Sequence, residues 1–211
     1  MNKENYIGIA TEELYRIFEI LNKNYFSNDL PVPMITIQKM SRSNTAGWFV
    51  PGKIWKPQDS ETEPKYEINI CAETLKADTL FIVETLQHEL VHYCNTISEI
   101  KDVNGQKHNK KFKSLAERVG LICNKSEKTG WGDTAPSDEF ASFVRNKISP
   151  IQESFKYFRE NILEEKTKKE RVKKQFKYAC PECKTEAKAK KDINIMCGDC
   201  NKKFEIIDEE E

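Results

Sequence analysis

Two histidines and a glutamate, His88, Glu89 and His92, stand at a spacing that suits metal chemistry. In a helix, side chains four residues apart lie one above the other, with about 5–6 Å between their Cβ atoms. The two imidazoles can therefore each place a ring nitrogen on one zinc ion. Glu89 points about 100° away from His88 around such a helix. It is thus placed to act on a water as general base rather than to join the ligands.

A zinc ion held by two histidines of one helix needs a third ligand from another segment. His108 is the only other histidine in the chain, and Phe112 follows it by four residues. We expect His108 to be the third ligand, with a carboxylate such as Glu117 as its main competitor. The alternative is that the motif is only two surface histidines beside a glutamate. The apolar residues Leu90 and Val91 inside the motif argue against that alternative.

Four of the seven cysteines form a second group, made of two Cys-x-x-Cys pairs with thirteen residues between them. They are Cys180, Cys183, Cys197 and Cys200. This spacing predicts a zinc ribbon, although the spacer is slightly shorter than the usual ~15–20 residues. Four sulfur ligands close the coordination, so the site is expected to be structural, and a redox role for one pair is the alternative. A module of ~30 residues has little core, so the metal should provide most of its stability.

A lysine-rich segment precedes the cysteine pairs and includes Lys173, Lys174 and Lys177. One interpretation is a solvated helical connector. The other is a surface that contacts the phosphates of a nucleic acid, with Phe176 and Tyr178 available for stacking on bases. The sequence leaves both interpretations open.

Composition and charge limit the class of protein. The 211 residues include 34 basic and 34 acidic side chains, which excludes a uniformly basic nucleic-acid coat protein. No apolar segment approaches the ~20 residues that span a bilayer, and the N-terminus lacks the apolar centre of a signal peptide. The odd number of cysteines without an export signal argues against a disulfide framework. We therefore expect a cytoplasmic, monomeric protein without a membrane partner, in which Cys71, Cys94 and Cys123 are small buried side chains.

Periodicity and end signals predict the elements that must hold these residues. A helix is expected over Thr11–Phe26 with Thr11 as N-cap, and another over Asp78–Asn95 with Asp78 as N-cap. Further helices are expected near His108 and after Ser137. Strands are expected over Met34–Met40, Ala46–Val50 and Tyr66–Cys71, with a loop over Pro51–Pro64 between the last two.

The C-terminal part of the chain is predicted to lie outside the α+β domain. After Pro150, apolar spacing favours a long helix over Ile151–Lys174 whose second half is charged on all sides. The order of elements indicates an α+β domain over residues 1–149, a charged helical connector over 150–177, a zinc ribbon over 178–207 and an acidic tail over 208–211.

These motifs, in this order, resemble the SprT-like zinc metalloproteases of the Spartan type. The resemblance covers about Thr11 to Gly120. It rests on Ala46-Gly47-Trp48-Phe49, on the strand at Tyr66–Ile70, on Thr85–His92 and on Asn104–Phe112, where His is followed four residues later by Phe. Members often have Gly on either side of that third His, whereas this chain has Lys107 and Asn109.

The resemblance implies a zincin-like domain with a short mixed or antiparallel sheet packed on helices, one catalytic zinc ion and Glu89 as general base. It also implies protein substrates near DNA, single-stranded or crosslinked, and a C-terminal ribbon with a second zinc ion is common in bacterial members. One alternative is a zinc-containing nucleic-acid-binding protein without proteolysis. Another is a hydrolase of some non-peptide amide, because a short motif does not fix the substrate.

Overall fold

The computed structural model describes residues 5–41, 45–148, 150–160 and 176–209. It divides into two compact units, residues 1–160 and 161–211. In the described ranges, no helix combines the length and the apolar character that crossing a membrane requires.

The described part of the first unit contains four helices and seven strands, together with a short 3-10 turn at Thr74–Lys76. The helices are α1 (Tyr6–Tyr25), α2 (Thr79–Ile97), α3 (Lys110–Arg118) and α4 (Asp138–Lys147). The strands are β1 (Met34–Gln38), β2 (Gly47–Trp55), β3 (Lys65–Cys71), β4 (Val103–Asn104), β5 (Lys107–His108), β6 (Leu121–Ser126) and β7 (Gly130–Pro136).

A three-stranded mixed sheet lies on one side of α2. Its order is β1-β3-β2, with β3 parallel to β1 and antiparallel to β2. The central strand is buried along most of its length, and Ile68 and Ile70 are fully enclosed. The mixed sheet packed on helices agrees with the expected α+β class.

A second sheet, not foreseen from the sequence, has the order β4-β5-β7-β6. β6 and β7 form an antiparallel hairpin, and β5 runs parallel to β7 with His108 opposite Gly130. This pairing brings His108 beside a strand that follows it by more than twenty residues.

Helix α2 passes through the centre of the first unit. Its residues are apolar or buried on most sides, and Leu86, Leu90 and Val91 have no exposed surface. A helix enclosed in this way is packed by neighbours on several faces. Its side chains are therefore held in fixed positions.

Helix α1 begins earlier than expected. Asn5 is its N-cap and accepts a hydrogen bond from the backbone of Gly8 at 3.0 Å. Thr11, predicted as the N-cap, lies inside the helix and donates its hydroxyl hydrogen to the carbonyl of Ile7 at 2.8 Å. The prediction was wrong because a threonine can bond back to its own helix as well as cap it.

Strand β2 extends into the predicted loop, and ends at Trp55 instead of Val50. Its pairing with β3 is irregular between these two residues. The extension is fixed by the indole N–H of Trp55, which donates to the buried carboxylate of Glu67 at 2.7 Å.

The helix predicted from Ile151 is wrong in its described part. Residues 152–154 form a turn and residues 155–160 are not helical. The apolar residues Ile151 and Phe155 instead bury themselves in the core of the first unit. The backbone N–H of Arg159 donates to the carbonyl of Ala72 at 3.1 Å. In a helix this N–H would instead donate to the carbonyl four residues earlier. The rest of the predicted helix lies outside the described residues.

Among its described residues, the second unit contains three antiparallel strands in the order β10-β8-β9. They are β8 (Phe176–Ala179), β9 (Glu186–Ala189) and β10 (Glu205–Glu209). The end of the predicted helical connector, 176–177, is therefore strand. A small core of Tyr178, Cys180, Cys197 and Phe204 shares two residues with the four-cysteine cluster, which is compatible with the expected zinc ribbon.

Candidate metal centre

The two histidines of α2 are positioned by a helix with a well-defined start. Asp78 caps it by accepting a hydrogen bond from the backbone of Phe81 at 2.8 Å, as the sequence predicted. His88 and His92 follow one turn apart on the same side of the helix. Cys71 and Cys123 are buried as expected, whereas Cys94, on the same helix, is only half-buried.

His108 completes a cluster of three imidazoles. Its Nε2 atom lies 3.2 Å from Nε2 of His88 and 2.9 Å from Nε2 of His92. The sheet pairing of β5 with β7 and the start of α3 bring it to this point. Phe112, on α3, lies beneath all three rings, with centroid distances of 4.8, 4.7 and 4.4 Å to His88, His92 and His108.

The outer nitrogen of His88 is bound to a hydroxyl. Its Nδ1 lies 3.0 Å from Oγ1 of Thr134 on β7, and that hydroxyl donates to Oε1 of Glu84 at 2.5 Å. Burial raises the pKa of Glu84, and the hydrogen bond from Thr134 opposes that shift.

The outer nitrogens of the other two histidines have different partners. Nδ1 of His92 lies 2.7 Å from Oδ2 of Asp102, which also accepts from the amide of Asn95 at 3.2 Å. Nδ1 of His108 lies 3.1 Å from the carbonyl oxygen of Thr129. Each histidine therefore uses Nδ1 for a protein acceptor and directs Nε2 to a common point, which is the arrangement of metal-binding histidines.

The donor set fits a zinc ion. Nitrogens bound tetrahedrally to one zinc ion at 2.0–2.1 Å lie about 3.3–3.4 Å from one another. The observed separations of 2.9 and 3.2 Å are close to this value. Without a metal ion, the three Nε2 atoms would face one another as acceptors, because each Nδ1 atom is already bound to a protein oxygen. Three nitrogen ligands also leave a fourth position for water or substrate.

Burial and neighbouring charge favour the neutral form of His88 and His108, whereas His92 differs. Burial lowers the pKa of His88 well below its usual value, and His92 and His108 lower it further. Burial and the proximity of His92 also lower the pKa of His108. For His92 burial acts in the same direction, but the hydrogen bond to Asp102 and the charges of Glu89 and Asp102 together outweigh it, so its pKa is raised.

Glu89 is buried beside the histidine cluster, with 6% of its surface exposed. Burial raises the pKa of its carboxyl group to about 7, while His92 and a hydrogen bond from the backbone N–H of Phe49 act against that shift. A carboxyl group with a pKa in this range can accept a proton and release it near neutral pH.

Two cavities adjoin the centre, and His88, Glu89 and Gly47 line both of them. One is about 380 Å³ and extends toward Glu84, Asp133 and Thr134. The other is about 310 Å³ and extends toward Phe49, His92, Asp102 and His108. His88 and Glu89 thus line both cavities, whereas His92 and His108 line the second.

Glu117, the competing ligand, lies on the exposed side of α3. Its carboxylate pairs with Lys113 at 3.5 Å. Among the described residues, the groups able to hold a metal are the His88–His92–His108 cluster and the four cysteines, and Glu117 is in neither.

The second candidate site brings together the four cysteines predicted to form the ribbon. Their sulfur atoms all lie within 4.8 Å of one another, and those of Cys183 and Cys197 are 3.6 Å apart. No disulfide joins them. Four thiols grouped in this way suit tetrahedral zinc.

Of the three lysines predicted to contact nucleic acid, one lies within the described residues. Lys173 and Lys174 lie outside the described residues, and Lys177 is half-buried on β8. Their role stays a prediction.

Sequence reasoning missed several residues around the histidines, among them Asp102, Thr129 and Thr134. They reach the cluster only through the second sheet and the turn before it. The one foreseeable clue was the short distance along the chain between His92 and Asp102.

A family model described as the SprT-like family matches residues 14–129, which is more than half of the chain. The match includes all three histidines and Glu89, and it ends just before β7. No curated protein and no solved structure matches the chain.

Proposed function

Since the chain belongs to the SprT-like family, whose domain is of the metallopeptidase type, we propose that it is a zinc-dependent endopeptidase that cleaves proteins bound or crosslinked to DNA. The observation that carries this proposal is the convergence of three Nε2 atoms beside the buried carboxyl group of Glu89. His88, His92 and His108 would hold the catalytic zinc ion. Cys180, Cys183, Cys197 and Cys200 would hold a structural one.

Bound at the histidines, zinc would supply a water of lowered pKa and would polarise the scissile carbonyl group. Glu89 accepts the proton of the attacking water as the oxygen bonds to the carbonyl carbon. It then delivers that proton to the amine as the C–N bond breaks. The backbone N–H of Phe49 donates to the same carboxyl group and acts against the rise in its pKa that burial causes.

The two cavities support a polymeric substrate. Both are lined by Gly47, His88 and Glu89, so a polypeptide that occupies both of them passes the general base. This arrangement favours cleavage inside a polypeptide over removal of a terminal residue.

The DNA component of the proposal rests on the lysine-rich segment with Lys173, Lys174 and Lys177, and on the ribbon that follows it. Basic side chains bind nucleic acid through phosphate contacts. We propose that single-stranded DNA bound there raises the local concentration of protein substrate and so increases the rate of cleavage.

The test is cleavage of casein and of the chain itself by the native protein and by Glu89→Gln, with and without single-stranded DNA. The glutamine variant keeps the size of the side chain but cannot accept the proton. We expect its rate to fall by about 10²–10⁴-fold, with zinc content unchanged. Glu117→Gln is the matched control, since it makes the same change on the exposed side of α3 and should retain the native rate.

The outcomes separate the candidate functions. Full activity in Glu89→Gln would overturn the mechanism. No cleavage by native protein that carries both zinc ions would favour the non-proteolytic nucleic-acid-binding alternative. Cleavage that does not respond to DNA would retain the peptidase and remove the DNA component.

A further inference from the structure

Two residues that lie beside the metal centre, Thr134 and Glu84, have no role in the chemistry described above. Thr134 belongs to β7, beyond the part of the chain that the family model matches. Its Oγ1 lies 3.0 Å from Nδ1 of His88 and 2.5 Å from Oε1 of Glu84. The hydroxyl therefore joins a histidine to a carboxylate of the same helix.

The hydroxyl group has one hydrogen, and it is donated to Glu84. Thr134 can then offer His88 only a lone pair, so the bond between them requires a hydrogen on Nδ1 of the imidazole. A neutral imidazole with its hydrogen on Nδ1 has its lone pair on Nε2. In His88 this is the atom that points to His92 and His108.

Glu84 is placed to hold the hydroxyl in that orientation. It lies one helical turn before His88 on α2, and only 8% of its surface is exposed. Burying a carboxylate is costly unless it is hydrogen-bonded. A buried carboxylate whose partner is the hydroxyl on a ligand histidine is difficult to explain by packing alone.

We propose that Thr134 and Glu84 are positioning residues that fix the tautomer and the ring orientation of His88 for metal binding. The Nδ1 atom of His92 is hydrogen-bonded directly to the carboxylate of Asp102, and that of His108 to a main-chain carbonyl group. His88 reaches its carboxylate through one intervening hydroxyl. The inference rests on the proposed function in that the metal is zinc, but it does not require peptidase activity.

The first test is the zinc affinity of Thr134→Val, measured by competition with a chromophoric chelator. Valine keeps the shape of threonine and removes the acceptor. We expect zinc binding to weaken by about 10–100-fold, the range for loss of such a partner. Thr134→Ser keeps a hydroxyl and should retain native affinity.

Thr85→Val is the matched control. Thr85 is buried on α2 three residues before His88, but its hydroxyl donates to the carbonyl of Phe81 instead of a histidine. The same substitution there should leave the zinc affinity unchanged.

The second test is the tautomer of His88 in metal-free protein, read from the ¹⁵N chemical shifts of its ring. Native protein and Thr134→Ser should show the hydrogen on Nδ1, and Thr134→Val should show a population with it on Nε2. If Thr134→Val does not fold, Glu84→Gln and Glu84→Leu replace it. Glutamine retains an acceptor oxygen for Thr134 and should resemble native protein, whereas leucine should behave as predicted for valine.

Native zinc affinity and an unchanged tautomer in Thr134→Val, or in Glu84→Leu, would overturn the proposal. Because both readouts precede catalysis, they are independent of the proposed function. Weaker zinc binding in a protein that never cleaves a peptide would support the positioning role and refute the peptidase. Peptidase activity in the native protein, combined with an unchanged His88 tautomer in Thr134→Val, would support the proposed function and refute the positioning role.

Discussion

Gly132 illustrates how tightly single residues enclose the cluster of three histidines. A Cβ atom placed on it would come within 2.7 Å of Cγ of His108 and still closer to Nδ1 and Cε1 of the ring. The ring cannot easily turn away, because its Nδ1 is bound to the carbonyl of Thr129. A side chain at this position therefore conflicts directly with a ligand.

We predict that Gly132→Ala displaces His108 and weakens zinc binding at the histidine cluster by at least tenfold. The expected cause is steric, since an added methyl group occupies the space of the imidazole. Cobalt substitution checks it, because a displaced ligand changes the visible absorption spectrum of the bound ion.

Gly52→Ala is the control for that prediction. A Cβ atom there meets only Cγ2 of Ile54 at 3.9 Å, an ordinary contact. This variant should bind cobalt with the native spectrum. A native spectrum in Gly132→Ala would show that the ring has room to move.

At the scale of elements, the N-cap Asp78 fixes where α2 begins, and α2 carries His88 and His92. Replacing Asp78 with Ala removes the acceptor of the Phe81 N–H. We predict that the free energy of unfolding of the first unit falls by about 1 kcal/mol, a typical effect of losing a helix cap. Chemical denaturation of the zinc-loaded protein measures it.

The zinc affinity of Asp78→Ala should remain near native, because His88 lies more than two turns beyond the cap and is held by packing. Asp78→Asn keeps an acceptor oxygen and is expected to retain the native free energy of unfolding. A stability loss of the same size in both variants would mean that charge at the helix end matters more than the hydrogen bond.

The sequence predicted α2 and its histidines because both signals are local. The cap at Asp78 and the apolar sides of the helix lie within twenty residues, and four-residue spacing alone places His88 and His92 together. His108 was predicted because it is the only other histidine and has Phe four residues later, whereas its approach to the other two depends on the pairing of β5 with β7, which is not a local signal. The contact of Thr134 with His88 depends on the same sheet and could not be predicted.

The failures have related causes. The second sheet consists partly of two-residue strands, which are too short to show an alternating pattern. The segment at Ile151 and Phe155 has helical spacing, but tertiary burial of these side chains and the backbone bond of Arg159 replace the helix. In this segment, contacts with residues distant in the chain outweighed the helical spacing of the apolar residues.

At the scale of the whole molecule, the described parts of the two units differ in the size of their buried cores. The first unit has an extensive buried core that includes α1, β3, α2 and α4. The described part of the second has four buried core residues, Tyr178, Cys180, Cys197 and Phe204, of which two are cysteines. Without a metal, a core this small cannot offset the conformational entropy of its chain.

We therefore predict that a strong chelator unfolds the second unit and leaves the first one folded. Hydrogen exchange of the intact chain, followed by mass spectrometry, should show that residues 176–209 lose protection while α1 and α2 keep theirs. Cys200→Ser should produce the same pattern without chelator, because it removes one sulfur ligand. His108→Ala, which removes a ligand from the other centre, should leave the protection of the second unit unchanged. If residues 176–209 stay protected after the metal is removed, the strands and the apolar core are sufficient for folding, and the zinc ion is not what holds this unit together.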